Sequence, residues 1–200
     1  IMIAAGQRVG VATSDATRTN GRAIVQADSA DFEGNRRILV NPFVDHAILE
    51  VSAASVLNQG LGFDHCQVAV VTNLGSGDHL GAKYVETLDV MTKVKRAPVD
   101  VVLPQGTAVL NARDAVVAEL AQYCPGRTLY FSSSVKAPGV QKLLASRAEI
   151  LTLEGGNVVL MQAERSVPIV PASAIARTMC GKYAFQVENA LAAIAAAHAL

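Results

Sequence analysis

Two hundred residues, 51 % of them hydrophobic, can bury one large core or two small ones. Basic and acidic residues balance at 17 each, which gives no sign of a nucleic-acid stripe or an anionic membrane partner. Aromatics are 4 % and tryptophan is absent, so alanine and valine must fill the interior, as suits tight helices on a valine-rich parallel sheet.

The apolar end Ala190–Leu200 is too short to span a bilayer and carries His198. Cys66, Cys124 and Cys180 have no metal-ligand spacing and cannot all pair, so they read as reduced thiols of a cytoplasmic protein. Ile1–Gly6 lacks the basic start of a secretory leader and reads instead as a final helical turn closed by Gly6. The expectation is an internal segment of a longer chain.

In chain order, Val9–Thr13 is a short strand entering the polar bend Ser14-Asp15. Residues 16–37 are polar, with Asn20-Gly21 as a turn signal. His46–Val51 is a second strand carrying Glu50, and Val68–Thr72 is a third. Ala82–Ala97 has helical spacing through Val85, Leu88, Met91 and Thr92, with Lys95 on that apolar face and Lys93 pointing away. Val99–Leu103 and Thr107–Leu110 flank a turn at Pro104-Gln105-Gly106. Asn111 then caps a helix whose buried stripe is Val116, Val117, Leu120 and Ala121, stopped by Pro125-Gly126. Thr128–Phe131 is a strand, Leu143–Arg147 ends a short helix, and Ile150–Leu153 pairs with Val158–Met161 in a hairpin around Gly155-Gly156. Tyr183–Leu200 is the final helix. Strands alternating with helices predict a three-layer α/β fold, mainly parallel, with a small β-hairpin appendage.

The block Val68–Gly81, VAVVTNLGSGDHLG, is the most specific chemical feature. An apolar strand ends in Thr72-Asn73, turns through Gly75-Ser76-Gly77, and delivers Asp78 and His79 to a helix start. Ligands of open parallel sheets sit at the carboxyl ends of strands, so this edge is a candidate for holding a metal or a phosphate. Glu50, at another strand end, is either a hard oxygen donor for Mg²⁺ or a solvated acid. His79 is either a metal ligand or the partly buried neighbour of a capping Asp78. Lys95 either lays its stem along the apolar face or reacts with CO₂ to give a carbamate that ligates metal. Asn189, one turn into the last helix, costs helix propensity and calls for a hydrogen-bonding partner, an adenine edge or a neighbouring backbone group. No GxSxG, CxxC, HExxH or GxxxxGKT pattern appears, so hydrolase and zinc chemistry are weak readings.

Taken in order, five stretches resemble the ATP-dependent Mur ligase superfamily, and within it the Mur-ligase-like domain of cyanophycin synthetases. They are VGVATSD at 9–15, HAILEVSAASVLNQGLGFDHC at 46–66, VAVVTNLGSGDHLG at 68–81, VKRAPVDVVLPQGTAVLNARD at 94–114 and FQVENALAAIAAAHAL at 185–200. The resemblance runs nearly end to end. It implies a central ATPase domain that activates a carboxylate as an acyl phosphate, which an amine attacks to give an amide. By position it makes Glu50 and His79 metal ligands, with Lys95 and His79 catalytic and Lys95 matching the lysine that many members carbamylate. Asn73 and Asn189 become the cofactor-binding residues, Asn189 toward adenine. ATP and Mg²⁺ are the implied cofactors.

The partners implied are an amino-acid or peptide substrate, the other domains of the same chain, and further copies of the full-length protein. Nucleic acid and membrane are not expected. The phosphate loop is expected upstream of Ile1 and the C-terminal domain beyond Leu200, so the segment alone is expected to be inactive. The alternative reading is a catalytically degenerate structural or assembly domain of a cyanophycin synthetase paralogue.

Overall fold

A computed structural model describes residues 1–75, 81, 85–163, 165–175 and 184–200. Asp78, His79 and Cys180 lie outside the described residues. The chain divides into two compact units, Ile1–His65 with Gly77–Pro98, and Cys66–Ser76 with Val99–Leu200.

The first unit opens on a short turn, Ile3–Ala5, closed by Gly6 at φ 80, as the sequence suggested. Its sheet has the order β3-β2-β1-β4 and comprises β1 (Val9–Ala12), β2 (Thr17–Thr19), β3 (Arg22–Val25) and β4 (His46–Leu49). β1 and β4 run parallel, and the other pairs are antiparallel. Asn20 (φ 50) and Gly21 (φ 83) form the two-residue turn between β2 and β3, whose left-handed pair matches strand twist.

The polar stretch 16–37 thus holds a hairpin and also α1 (Phe32–Leu39). Asp31 caps α1 by accepting the Gly34 N–H at 2.7 Å. Ile38 of α1 is fully buried, and a Cβ added at Gly10 would lie 2.7 Å from its Cγ2, so α1 presses directly on β1. Ser52 caps α2 (Ala53–Gln59) through the Ser55 N–H at 3.1 Å.

The helix α3 (Leu88–Asp100) differs from the expected Ala82–Ala97 at both ends. Thr87 accepts the Val90 N–H at 3.3 Å and sets the start, and the helix runs on through Pro98. Val85 and Met91 are buried beside Ala53, whereas Leu88 is 58 % exposed and leaves the expected stripe. Lys93 points outward and pairs with Asp89 at 2.8 Å, while Lys95 is half-buried, in agreement with the expected phase.

The second unit is a six-stranded sheet in the order β10-β9-β8-β7-β6-β5. Its strands are β5 (Cys66–Val71), β6 (Val102–Asn111), β7 (Arg127–Ser132), β8 (Glu149–Glu154), β9 (Asn157–Gln162) and β10 (Arg165–Pro171). β5 to β8 are parallel, and β9 and β10 add antiparallel pairs.

Alternation along the strands sorts side chains to two faces. Ala108, Leu110, Tyr130 and Ile150 pack with Val117 and Leu120, from α4 (Ala115–Glu119) and the turn after it, and with Val140 of α5 (Pro138–Ala145). On the other face, Val109, Leu129, Phe131 and Leu151 pack with Val187, Leu191, Ala192 and Ala195 of α6 (Ala184–Ala199). The result is the expected three-layer, mainly parallel α/β unit.

Pro104-Gln105-Gly106 does not separate two strands. It lies inside the continuous β6, where the pairing with β5 jumps from Cys66↔Val102 to Val68↔Thr107. A Cβ on Gly106 would stand 2.5 Å from the Gln67 carbonyl oxygen, so the backbones approach too closely there for any side chain. The cap of α4 is Asp114, not Asn111: its carboxylate accepts the Val116 and Val117 N–H groups at 3.1 and 3.2 Å. Val116 is 44 % exposed and does not join the buried stripe.

The hairpin around Gly155 (φ 56) and Gly156 (φ 79) has the two-residue turn that its glycines signal. It is continuous with the sheet, since β8 is the fourth parallel strand. β10 extends the sheet as an edge whose Pro168 and Pro171 are tolerated because it has a neighbour on one side only.

Candidate functional site

Carboxyl ends of parallel strands gather the polar side chains in each unit. In the first, the Glu50 N–H extends the ladder by donating to Ala12 O at 2.8 Å, which places Glu50 just past β4. Its Oε2 accepts the Ser14 N–H at 2.8 Å and the Ser14 hydroxyl at 3.2 Å. The carboxylate is exposed and oriented through one oxygen, leaving Oε1 without a hydrogen bond to the described residues. A hard cation suits such a group. Lys95 sits half-buried on α3. His79, the second expected ligand, is outside the described residues, among which no three His, Cys, Asp or Glu side chains gather as a metal set.

In the second unit Thr72 and Asn73 follow β5, and the exposed Asn73 amide donates to Thr72 Oγ1 at 3.3 Å. Asn111, the buried last residue of β6, donates to the Thr72 carbonyl and accepts the Arg113 N–H, both at 2.9 Å. Asp114 also accepts the Leu74 N–H at 3.4 Å. Beyond β7, Ser133 donates to Glu188 Oε1 at 2.9 Å, and Arg113 donates to Ser133 Oγ at 3.0 Å and to the same Glu188 oxygen. Because Arg113 and Ser133 follow the ends of β6 and β7, these contacts bring the second turn of α6 onto the carboxyl rim. Asn189, next to Glu188, is exposed there and makes no side-chain hydrogen bond to the described residues. Asn73 and Asn189 therefore share one rim.

Asn111 as a strand clamp and the Arg113–Ser133–Glu188 cluster escaped the sequence reading. Sequence separations of 20, 55 and 75 residues leave no local spacing to read.

Shifted ionisations fall away from the rim. At the amino ends of β1 and β4, Arg8 Nε donates to Asp45 Oδ2 at 2.7 Å and holds the Asp45 carboxyl below its ordinary range. Burial, with Cys124 nearby, pushes the Cys66 thiol up to about 11. Neither Cys66 nor Cys124 is in a disulfide. Among the described residues no helix is long and apolar enough to cross a membrane.

Residues 17–197 match the Mur ligase middle domain family. A cyanophycin synthetase of Synechocystis sp. is 35 % identical over 192 residues, 96 % of this chain and 22 % of that protein. A cyanophycin synthetase of Nostoc sp. is 32 % identical over 192 residues, 96 % of this chain and 21 % of that protein. A crystal structure of MurF from Acinetobacter baumannii superposes with a TM-score of 0.56 at 17 % identity, covering 99 % of this chain and 38 % of that one, a likeness of fold.

The chain belongs to the Mur ligase middle domain family. It is similar to cyanophycin synthetases and spans about a fifth of the length of those curated relatives.

Proposed function

We propose that this domain is the ATP-using middle domain of a longer, cyanophycin synthetase-like ligase that joins an amine to a carboxylate. The observation that carries the reading is 35 % identity to a cyanophycin synthetase over 96 % of the chain. The polar rims built around Glu50 and around Asn73 and Asn189 agree with it, and the silent assembly-domain alternative gains no observation of its own.

In this reading ATP is a co-substrate and Mg²⁺ neutralises phosphate charge when bound. An oxygen of the substrate carboxylate attacks the γ-phosphorus and ADP leaves. The substrate amine then attacks the acyl carbon, phosphate leaves, and the nitrogen gives up a proton. Glu50 and His79 would hold the metal; the Glu50 carboxylate, fixed by Ser14 through one oxygen, fits that task. Lys95, as a carbamate, would be a further ligand to it, and Asn73 presents its amide at the end of β5. The Asn189 amide offers a donor and an acceptor side by side, the pairing an adenine edge needs. An amino-acid or peptide substrate, the remaining domains of the chain and further copies of the whole protein are the partners, in the cytoplasm.

The test is Mg-ATP turnover by the full-length protein, comparing the parent with Glu50→Ala and His79→Ala. The expected loss is on the order of 100-fold or more in each variant. Equal turnover in all three removes both residues from the mechanism.

A further inference from the structure

We infer that Glu188, held by Arg113 and Ser133, is a positioning residue that sets where Asn189 stands on the carboxyl rim. The inference rests on the reading of Asn189 as a nucleotide contact given above. Alanine occupies eight of the sixteen positions of α6, the larger apolar Val187, Leu191 and Ile194 follow one another along one arc, and the helix carries a single residue of the Asp, Glu, Lys and Arg types, Glu188. Half of its buried stripe, Val187, Leu191, Ala192 and Ala195, is alanine. A small slide or turn exchanges one alanine for another at half of these buried positions, so apolar burial alone leaves some latitude in the placement of the helix. A polar anchor with directed hydrogen bonds removes that latitude, as a polar residue does when it selects one register of a coiled coil.

The Glu188 cluster has the properties of such an anchor. One carboxylate oxygen receives both the Ser133 hydroxyl and the Arg113 guanidinium, and Arg113 also donates to Ser133. The three residues come from α6 and from the loops after β7 and β6, so the anchor triangulates the helix against two strand ends. The Glu188 side chain is 25 % exposed and that of Arg113 48 %, which leaves the pair partly shielded from solvent. Adjacent residues of an α-helix stand about 100° apart, so fixing Glu188 fixes the direction of Asn189.

The experiment measures KM for ATP and kcat on the full-length ligase for Asn189→Ala, Glu188→Gln, Arg113→Met, Arg113→Lys and the double variant E188Q/N189A. Asn189→Ala is expected to raise the ATP KM about tenfold, the equivalent of one hydrogen bond. Glu188→Gln and Arg113→Met are expected to raise it about fivefold with kcat little changed, for the same reason in weaker form. Arg113→Lys is expected to restore the parent value, because one nitrogen of Arg113 makes both contacts. The double variant is expected to match Asn189→Ala alone, since the anchor acts through that residue.

If Glu188→Gln multiplies KM equally in both backgrounds, or lowers only kcat and the melting temperature, the positioning role is wrong. If Asn189→Ala leaves the ATP KM unchanged, the assignment of Asn189 itself fails.

Discussion

Asn111 Nδ2 donates to the Thr72 carbonyl at 2.9 Å, so one buried amide ties the carboxyl end of β6 to that of β5. Its oxygen simultaneously accepts the Arg113 N–H and shapes the entry to α4. Asn111→Ala strands both backbone groups, which costs about 1–3 kcal/mol when such groups stay dry. A urea titration of the variant should show a midpoint lowered accordingly with an unchanged slope. An unchanged midpoint would mean the clamp contributes nothing.

Gly34 lies inside α1, where alanine ordinarily stabilises an exposed helix by about 1 kcal/mol relative to glycine. Here the expected sign reverses. A Cβ at Gly34 would fall 2.1 Å from the Ser29 carbonyl oxygen, a backbone atom that cannot rotate away. Gly34→Ala should therefore destabilise the protein, by about 1–3 kcal/mol as overpacked sites do. A stabilised variant in thermal unfolding would show that Ser29 and α1 do not meet as described.

The Asp45 carboxyl titrates below its ordinary value because Arg8 hydrogen-bonds it. A depressed acid contributes its stability in full above the unfolded value and loses it as pH falls through the lowered folded one. The stability gap between the parent and Asp45→Asn should be flat above about pH 5 and shrink from about pH 4 downward. The pair is solvent-exposed, so the gap should be small and should narrow further in high salt. Urea midpoints across pH check this, and a gap that persists to pH 2 contradicts it.

Cys66 is held protonated by burial, with its thiol pushed up to about 11. Site-resolved alkylation by iodoacetamide at pH 8 should be on the order of 100-fold slower at Cys66 in the folded protein than in the urea-unfolded chain. Equal rates in the two states would place this thiol at the surface.

Much of the second unit was legible because its strands announce themselves twice. Apolar runs such as Thr128–Phe131 mark buried parallel strands, and Gly155-Gly156 marks a tight turn between two alternating segments. Elements were missed where two local signals disagreed. Pro168 and Pro171 hid β10, although an edge strand tolerates proline. Pro104-Gln105-Gly106 looks like a turn, and becomes a bulge only because Gly106 lets its backbone approach Gln67. Residues 32–37 read merely as part of a polar stretch, since α1 buries only Gly34, Asn35 and Ile38 and shows the rest to solvent or near it. Val85 fits a helical stripe by spacing, but Thr87 caps the helix and shortens it.

Of the candidate site, the strand-end positions of Glu50 and Asn73 followed from pattern. Their supports did not. Ser14 reaches Glu50 across 36 residues, and Arg113 reaches Glu188 across 75, pairings that exist only once the strands are laid side by side.

The central claim is that this domain supports ligation through an acyl phosphate. The most direct measurement is the nucleotide product of the full-length protein turning over ATP with its acid and amine substrates. The account predicts one ADP and one phosphate for each amide formed, with ¹⁸O from the substrate carboxylate recovered in the phosphate. AMP and pyrophosphate as products, or phosphate without that label, would contradict it.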